Sequence, residues 1–173
     1  MRHALVLGGA RSGKTAFAER LALRTGRHPL YLATAQALDP EMSDRIAGDA
    51  ARFDTREEPT QLSHAILEGG RESDVILIDS ITLWITNLLL TGKDVSRAVG
   101  ELCATLAEFR SAKVILVTHE VGLGIVPENA MARTFRDLAG SAHQRLAEVC
   151  DDVYFVAAGL PFTLKGEPPM TDA

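Results

Sequence analysis

Cysteine is scarce: Cys103 and Cys150 are the only two in 173 residues, too few for a disulfide framework and without the spacing of a metal site. Both read as buried thiols of a reduced compartment. Charge of one sign is scarce as well. The net charge is -5 and no long run of either sign occurs, which argues against nucleic acid or an anionic membrane as the main partner. Long apolar runs are missing too: the richest stretch, "ITLWITNLLL", is broken by threonines and an asparagine, so nothing has the length needed to cross a bilayer. The opening "MRHALVLGG" has too short an apolar run for a signal peptide and leads straight into glycines. A cytoplasmic location is therefore expected. No internal repeat or low-complexity segment interrupts the chain.

What remains is ordinary globular material, 46% hydrophobic and 24% charged. Its length suits one compact domain over residues 1–165, with 166–173, in the tail "KGEPPMTDA", expected to be a flexible end. Short apolar runs alternate with helical patterns. "HALVL" (3–7), "HPLYLAT" (28–34), "DVILIDS" (74–80), "KVILVTHE" and "VYFVAAG" (153–159) read as strands, the last closing the sheet. Helices are expected over about 14–24, 39–52, 61–68, 81–90, 95–110 and 130–149, with "FDTREEP" a polar connection. Strands that are apolar throughout, separated by helices, predict an α/β fold with a mainly parallel sheet flanked by helices.

"GGARSGKT" satisfies the pattern G-x-x-x-x-G-K-[ST] through Gly8, Gly13, Lys14 and Thr15, between a strand and a helix. Glycines let successive N–H groups of Gly8, Gly9, Ala10, Arg11, Ser12 and Gly13 converge, and the helix N-terminus adds a positive field. Lys14 is expected to reach the outer phosphates of ATP or GTP, and Thr15 to hold Mg²⁺. Asp79, ending "VILID", is the expected acidic partner for that metal; its bland alternative is a helix cap or loop acid. Asp74 reads as merely solvated. No N-K-x-D base-reading motif is present and there is no room for accessory domains, so a small phosphotransferase is favoured over a switch or a motor.

Ligands of open α/β sheets sit at the strand ends. There "ATAQALDPEM" offers Thr34 and Gln36, and "THEVGLGIVPENAMARTFRD" offers Glu120, Glu128, Asn129, Arg133, Arg136 and Asp137. The last three are near one another on a helix, as a ligand site or as surface ion pairs. Glu120 is a candidate general base.

"GGARSGK", "YLATAQALDPEMSDRI", "SITLWITNLL" and "EVGLGIVPEN…ARTFRDLAG…QRLA", in that order over about residues 4–165, resemble the bifunctional adenosylcobinamide kinase / adenosylcobinamide-phosphate guanylyltransferase family of cobalamin biosynthesis. The resemblance implies a RecA-like P-loop NTPase fold, a homo-oligomer (a trimer) and two reactions. ATP or GTP phosphorylates the aminopropanol hydroxyl of adenosylcobinamide, and GMP is then transferred from GTP through an enzyme-bound GMP-histidine. It also implies nucleotide contacts from Gly8 to Thr15 and from Ala33, Thr34 and Ala35, with Glu57 and Asp79 as acidic positions of the guanine-nucleotide site.

One departure matters. The family's histidine follows R-I-x-x, and here "RIAGDAARFDTREEP" places Asp49 there, in a shortened loop where Phe53 stands for a tryptophan. A neutral imidazole attacks phosphorus and then leaves readily; a carboxylate brings like charge towards an anion. His119 and His143 stand where the family pattern has asparagine and are weak substitutes; His3, His28 and His64 read as surface or strand-edge residues. The resulting expectation is a kinase whose guanylyl transfer is in doubt. A kinase-only relative acting on another small hydroxyl compound, or a non-catalytic nucleotide-binding subunit, are the alternatives.

Overall fold

The computed structural model describes residues 1–35 and 52–169. Three strands form its middle: β1 (Ala4–Gly8), β4 (Val75–Asp79) and β5 (Lys113–His119). Nearly every side chain in them is buried, as strands covered on both faces require. β1 pairs in parallel with β5 and with β6 (Asp152–Ala157), while β4 lies between β5 and β2 (Pro29–Ala33). With β3 (Asp54–Glu57) and β7 (Leu160–Lys165) at the edges, the order is β3-β2-β4-β5-β1-β6-β7. β7 runs antiparallel to β6; the other pairs are parallel.

Strand alternation sorts the core into two layers. Leu5, Leu7, Leu32, Ile76, Ile78 and Leu116 face a cluster built with α2 (Leu62–Gly69), α3 (Ile81–Leu90), α4 (Val95–Glu108) and α5 (Ala130–Val149). Ala4, Val6, Tyr31, Leu77, Ile115 and Val117 face the other way, against Phe17, Ala18 and Ala22 of α1 (Lys14–Thr25). Side chains fix where three helices begin. Ser80 accepts from the Leu83 amide at 3.3 Å, Asp94 from Arg97 at 3.0 Å and Asn129 from Ala132 at 3.1 Å, each satisfying a first-turn N–H.

The expected strands and helices are present with small shifts at their ends, and the helix expected over 39–52 lies almost wholly outside the described residues. Two expectations are corrected. "FDTREEP" is not merely a polar connection, because β3 runs through it; pairing to one neighbour lets an edge strand keep polar, solvent-facing side chains. Nor does β6 close the sheet. Ala158 and Gly159 both adopt positive φ, 51° and 77°, which is the backbone of a two-residue hairpin turn, and the chain returns as β7.

The base of the sheet brings two more corrections. His3 is not a surface or edge residue: it is 2% exposed, with Nε2 donating to the Phe109 carbonyl at 3.1 Å and Nδ1 accepting the Val114 amide at 3.1 Å. Asp74 is not merely solvated, since it accepts the amides of Arg27 and His28 at 2.8 and 3.0 Å, which hold its carboxyl below the usual range against the opposing effect of burial. Cys150 is buried, its thiol pushed up to about 12 by loss of solvent, and Cys103 is half-buried. Among the described residues no helix is long and apolar enough to cross a membrane.

Candidate active site at the carboxyl edge of the sheet

The glycine loop leaves β1 and enters α1 in a tight bend. A Cβ at Gly8 would stand 2.4 Å from Ser12 Oγ and 2.7 Å from the Val156 carbonyl, so nothing larger than hydrogen fits. Gly13 holds φ 88°, a region that glycine adopts at no steric cost. The bend is pinned from outside as well: the Gly159 amide donates to the Ser12 carbonyl at 2.7 Å, and Glu120 N–H donates to the Gly8 carbonyl at 3.0 Å. Lys14 Nζ spans the loop to the Gly9 carbonyl at 3.1 Å. Gly13 gives α1 no side-chain cap, so the positive end of the helix opens onto this concavity. Ser12 Oγ is buried with no hydrogen-bond partner among the described residues.

Asp79 comes to the same place from β4, across the intervening β5. Its Oδ2 accepts from Thr15 Oγ1 at 3.0 Å and from the Tyr31 hydroxyl at 3.2 Å. Two hard oxygens at that separation match the roughly 3 Å edge of an octahedron with metal–oxygen bonds of about 2.1 Å, the geometry Mg²⁺ demands. Register extends the row of acids: Asp79 is opposite Ala33, and Ala33 is opposite Glu57, which is exposed. Thr34 is fully buried and is bound to the end of β4: its hydroxyl accepts the Ser80 amide at 2.8 Å and donates to the Ser80 carbonyl at 2.9 Å. Asn87 Nδ2 donates to the Thr34 and Pro59 carbonyls at 2.9 and 3.0 Å, locking the ends of β2 and α3 together. Ala35 follows, buried; Gln36 and Asp49 lie outside the described residues.

The segment after β5 forms the third wall. His119 is opposite Gly8 in register, and burial together with the nearby Lys14 ammonium holds its imidazole below the ordinary range. Glu120 turns both oxygens back on its own loop, accepting the Gly122 and Leu123 amides at 2.6 and 3.1 Å, so its visible role is to shape the loop. Arg133 donates to the Pro127 and Glu128 carbonyls and Arg136 to the Gly122 carbonyl at 3.1 Å. Arg136 Nε is buried without a partner among the described residues. Leu123, Ile125 and Met131, in the segment after β5 and the first turn of α5, stand 82%, 97% and 69% exposed. His143 is buried and bonded to Thr118 Oγ1 at 2.7 Å.

A glycine-loop cradle, a pair of hard oxygens and exposed apolar side chains thus stand at the carboxyl end of the sheet, and the comparisons with known proteins say which family carries them. The model of the family "cobinamide kinase / cobinamide phosphate guanyltransferase" matches residues 4–164. The chain belongs to that family. It is 47% identical to the bifunctional adenosylcobalamin biosynthesis protein CobP of Pseudomonas aeruginosa, over 95% of this chain and 98% of the relative. With the CobU protein of Salmonella typhimurium the identity is 41%, over 93% and 98%. Among solved structures, an ATPase of a bacterial type III secretion system matches at TM-score 0.56 and 11% identity, over 94% of this chain and 56% of that one, a likeness of fold alone. The sheet is thus that of the RecA-like P-loop ATPases, and the chain is an enzyme of a bifunctional kinase/guanylyltransferase family.

In this candidate site, Tyr31 is the residue that sequence reading did not name, whereas Ser12 was named with the glycine loop. Tyr31 is a single hydroxyl in an apolar strand, and its link to Asp79 depends on the β2–β4 register. Ser12 was counted for its amide, whereas its orphaned hydroxyl is a second reason to expect a ligand there.

Proposed function

We propose that this chain transfers the γ-phosphoryl group of ATP or GTP to the aminopropanol hydroxyl of adenosylcobinamide, with all of the machinery in one domain spanning residues 1–165. The observation that carries the reading is the 3.0 Å approach of Thr15 to Asp79 beside a cradle already spanned by Lys14. The amides of residues 8–15 and the Lys14 ammonium grip the triphosphate tail. Thr15 and Asp79 would hold Mg²⁺, whose positive charge would offset the negative charge of the phosphate oxygens. Phosphoryl transfer asks little covalent help of a protein, so orientation and charge neutralisation by Lys14 and Arg11 supply most of the rate. The exposed Leu123, Ile125 and Met131 suit the bulky, largely apolar flank of a corrin ring, and Arg136 stiffens their loop. Ala33, Thr34, Ala35 and Glu57 belong to the nucleotide side of the site, with Thr34 acting through the β2–β4 junction it ties.

Guanylyl transfer by the family's histidine route is not part of the proposal. Asp49 stands where the accepting imidazole is expected, and of the substitutes His143 is buried on Thr118. Incubation with α-labelled GTP followed by denaturation tests this: no label should remain on the protein, and acid-labile label on a histidine would contradict it. A homo-oligomer, a trimer by resemblance, is also proposed. The outward Leu160, Phe162 and Leu164 of the edge strand β7, each more than half exposed, support it. Equilibrium sedimentation reads the subunit number directly. The principal test is phosphorylation of adenosylcobinamide by γ-labelled ATP or GTP in magnesium buffer. Nucleotide binding without transfer to any small hydroxyl acceptor would favour a non-catalytic subunit instead.

A further inference from the structure

The opposite edge of the sheet holds a second basin. A cleft of about 240 Å³ opens between the C-terminal half of α1 and the first residues of β5 and β6. It lies roughly 20 Å from the glycine loop, the rise of the six steps of β5 from Lys113 to His119. Among the described residues Arg2, Arg20, Lys113 and an already engaged Arg24 line it, against Asp152 and Glu167. The carboxylates are already engaged. Asp152 meets Arg2 at 2.6 Å and accepts the Glu167 amide at 3.0 Å, and Glu167 lies 3.6 Å from Arg2. The Lys113 ammonium and the Arg20 guanidinium have no hydrogen bond or ion pair among the described residues. Lys113 is half-buried, and loss of solvent lowers its pKa against the opposing pull of Asp152, Asp151 and Glu167. Phe17 and Tyr154, packed edge to face at 5.4 Å, together with Pro168, give the cleft an apolar wall.

We propose that this cleft is a second ligand site, separate from the nucleotide cradle, for a small organic anion in which a phosphate or carboxylate adjoins a flat apolar body. The anionic head faces Lys113 and Arg20, and the body lies against Phe17 and Tyr154. Both ends of α1 then meet anions, the first turn in the cradle and the last turns in the cleft.

The test is titration of the intact protein, saturated with Mg-ADP to occupy the cradle, with phenyl phosphate and separately with inorganic phosphate, followed by amide chemical shifts. Saturable shifts should centre on Lys113 and Tyr154, with phenyl phosphate binding more tightly than phosphate. Lys113→Gln and, independently, Arg20→Gln should each weaken phenyl phosphate at least tenfold while leaving Mg-ADP affinity unchanged, which also reports that each variant is folded. Shifts confined to residues 8–15, or an affinity indifferent to both substitutions, would overturn the proposal.

Discussion

The two edges of the sheet satisfy their buried polar groups to different degrees. At the base, carboxylates are held by the protein itself: Asp74 by two amides, Asp151 by the His3 amide at 2.8 Å and Asp152 by Arg2 and Glu167. At the carboxyl edge Ser12 Oγ and Arg136 Nε are buried with no partner among the described residues, and large apolar side chains face solvent. Burying a polar atom without a partner costs on the order of 1–3 kcal/mol, a penalty that Ser12 and Arg136 carry and the bonded carboxylates of the base avoid. The difference teaches where the nucleotide cradle holds binding energy in reserve and where carboxylates have gone into the fold.

The sharpest way to break this contrast is Lys14→Ala. Losing a cation that neutralises phosphate charge should lower kcat/KM for phosphoryl transfer at least roughly 100-fold, measured with γ-labelled nucleotide. Unfolding in urea should hardly change if the edge is built for ligand. Asp79→Asn should come next, reducing Mg²⁺-dependent nucleotide affinity by roughly tenfold or more in calorimetry, because a neutral amide is a poor ligand for a hard cation. Ile125→Asp should raise KM for adenosylcobinamide several-fold and leave the melting temperature in place, since a 97% exposed side chain contributes little to the core.

At the base the expected signature is stability instead. His3 is held neutral: burial lowers its pKa, and Nδ1 can accept the Val114 amide only while unprotonated. The unfolded chain therefore binds the proton more readily. The stability His3 contributes is complete above about pH 6.5 and is lost as pH falls through the lower folded value. Urea midpoints at pH 7.5 and 5.5 should show a smaller acid loss in His3→Gln than in the native chain, the remainder including His143, whose pKa burial also lowers. An equal loss in both proteins would remove His3 from the account.

Most of the central architecture could be read from the sequence because β1, β4 and β5 are apolar runs whose burial leaves little choice of structure. The edges could not. β3 is the polar tetrapeptide DTRE, recognisable only through its register with β2, and β7 depends on an Ala-Gly turn weaker than the usual Asn-Gly signal. The cradle was legible because its spacing dictates a backbone shape. Contacts set by folding across the sheet were not: Tyr31 to Asp79, Thr34 to Ser80 and His3 to Phe109 join residues 46 or more apart.

The most direct measurement is transfer of radiolabel from γ-labelled ATP or GTP to adenosylcobinamide by the intact enzyme in magnesium buffer, beside Lys14→Ala. Labelled adenosylcobinamide phosphate formed by the native chain and all but lost in the variant is the predicted result. No labelled product, or equal rates in the two proteins, would contradict it.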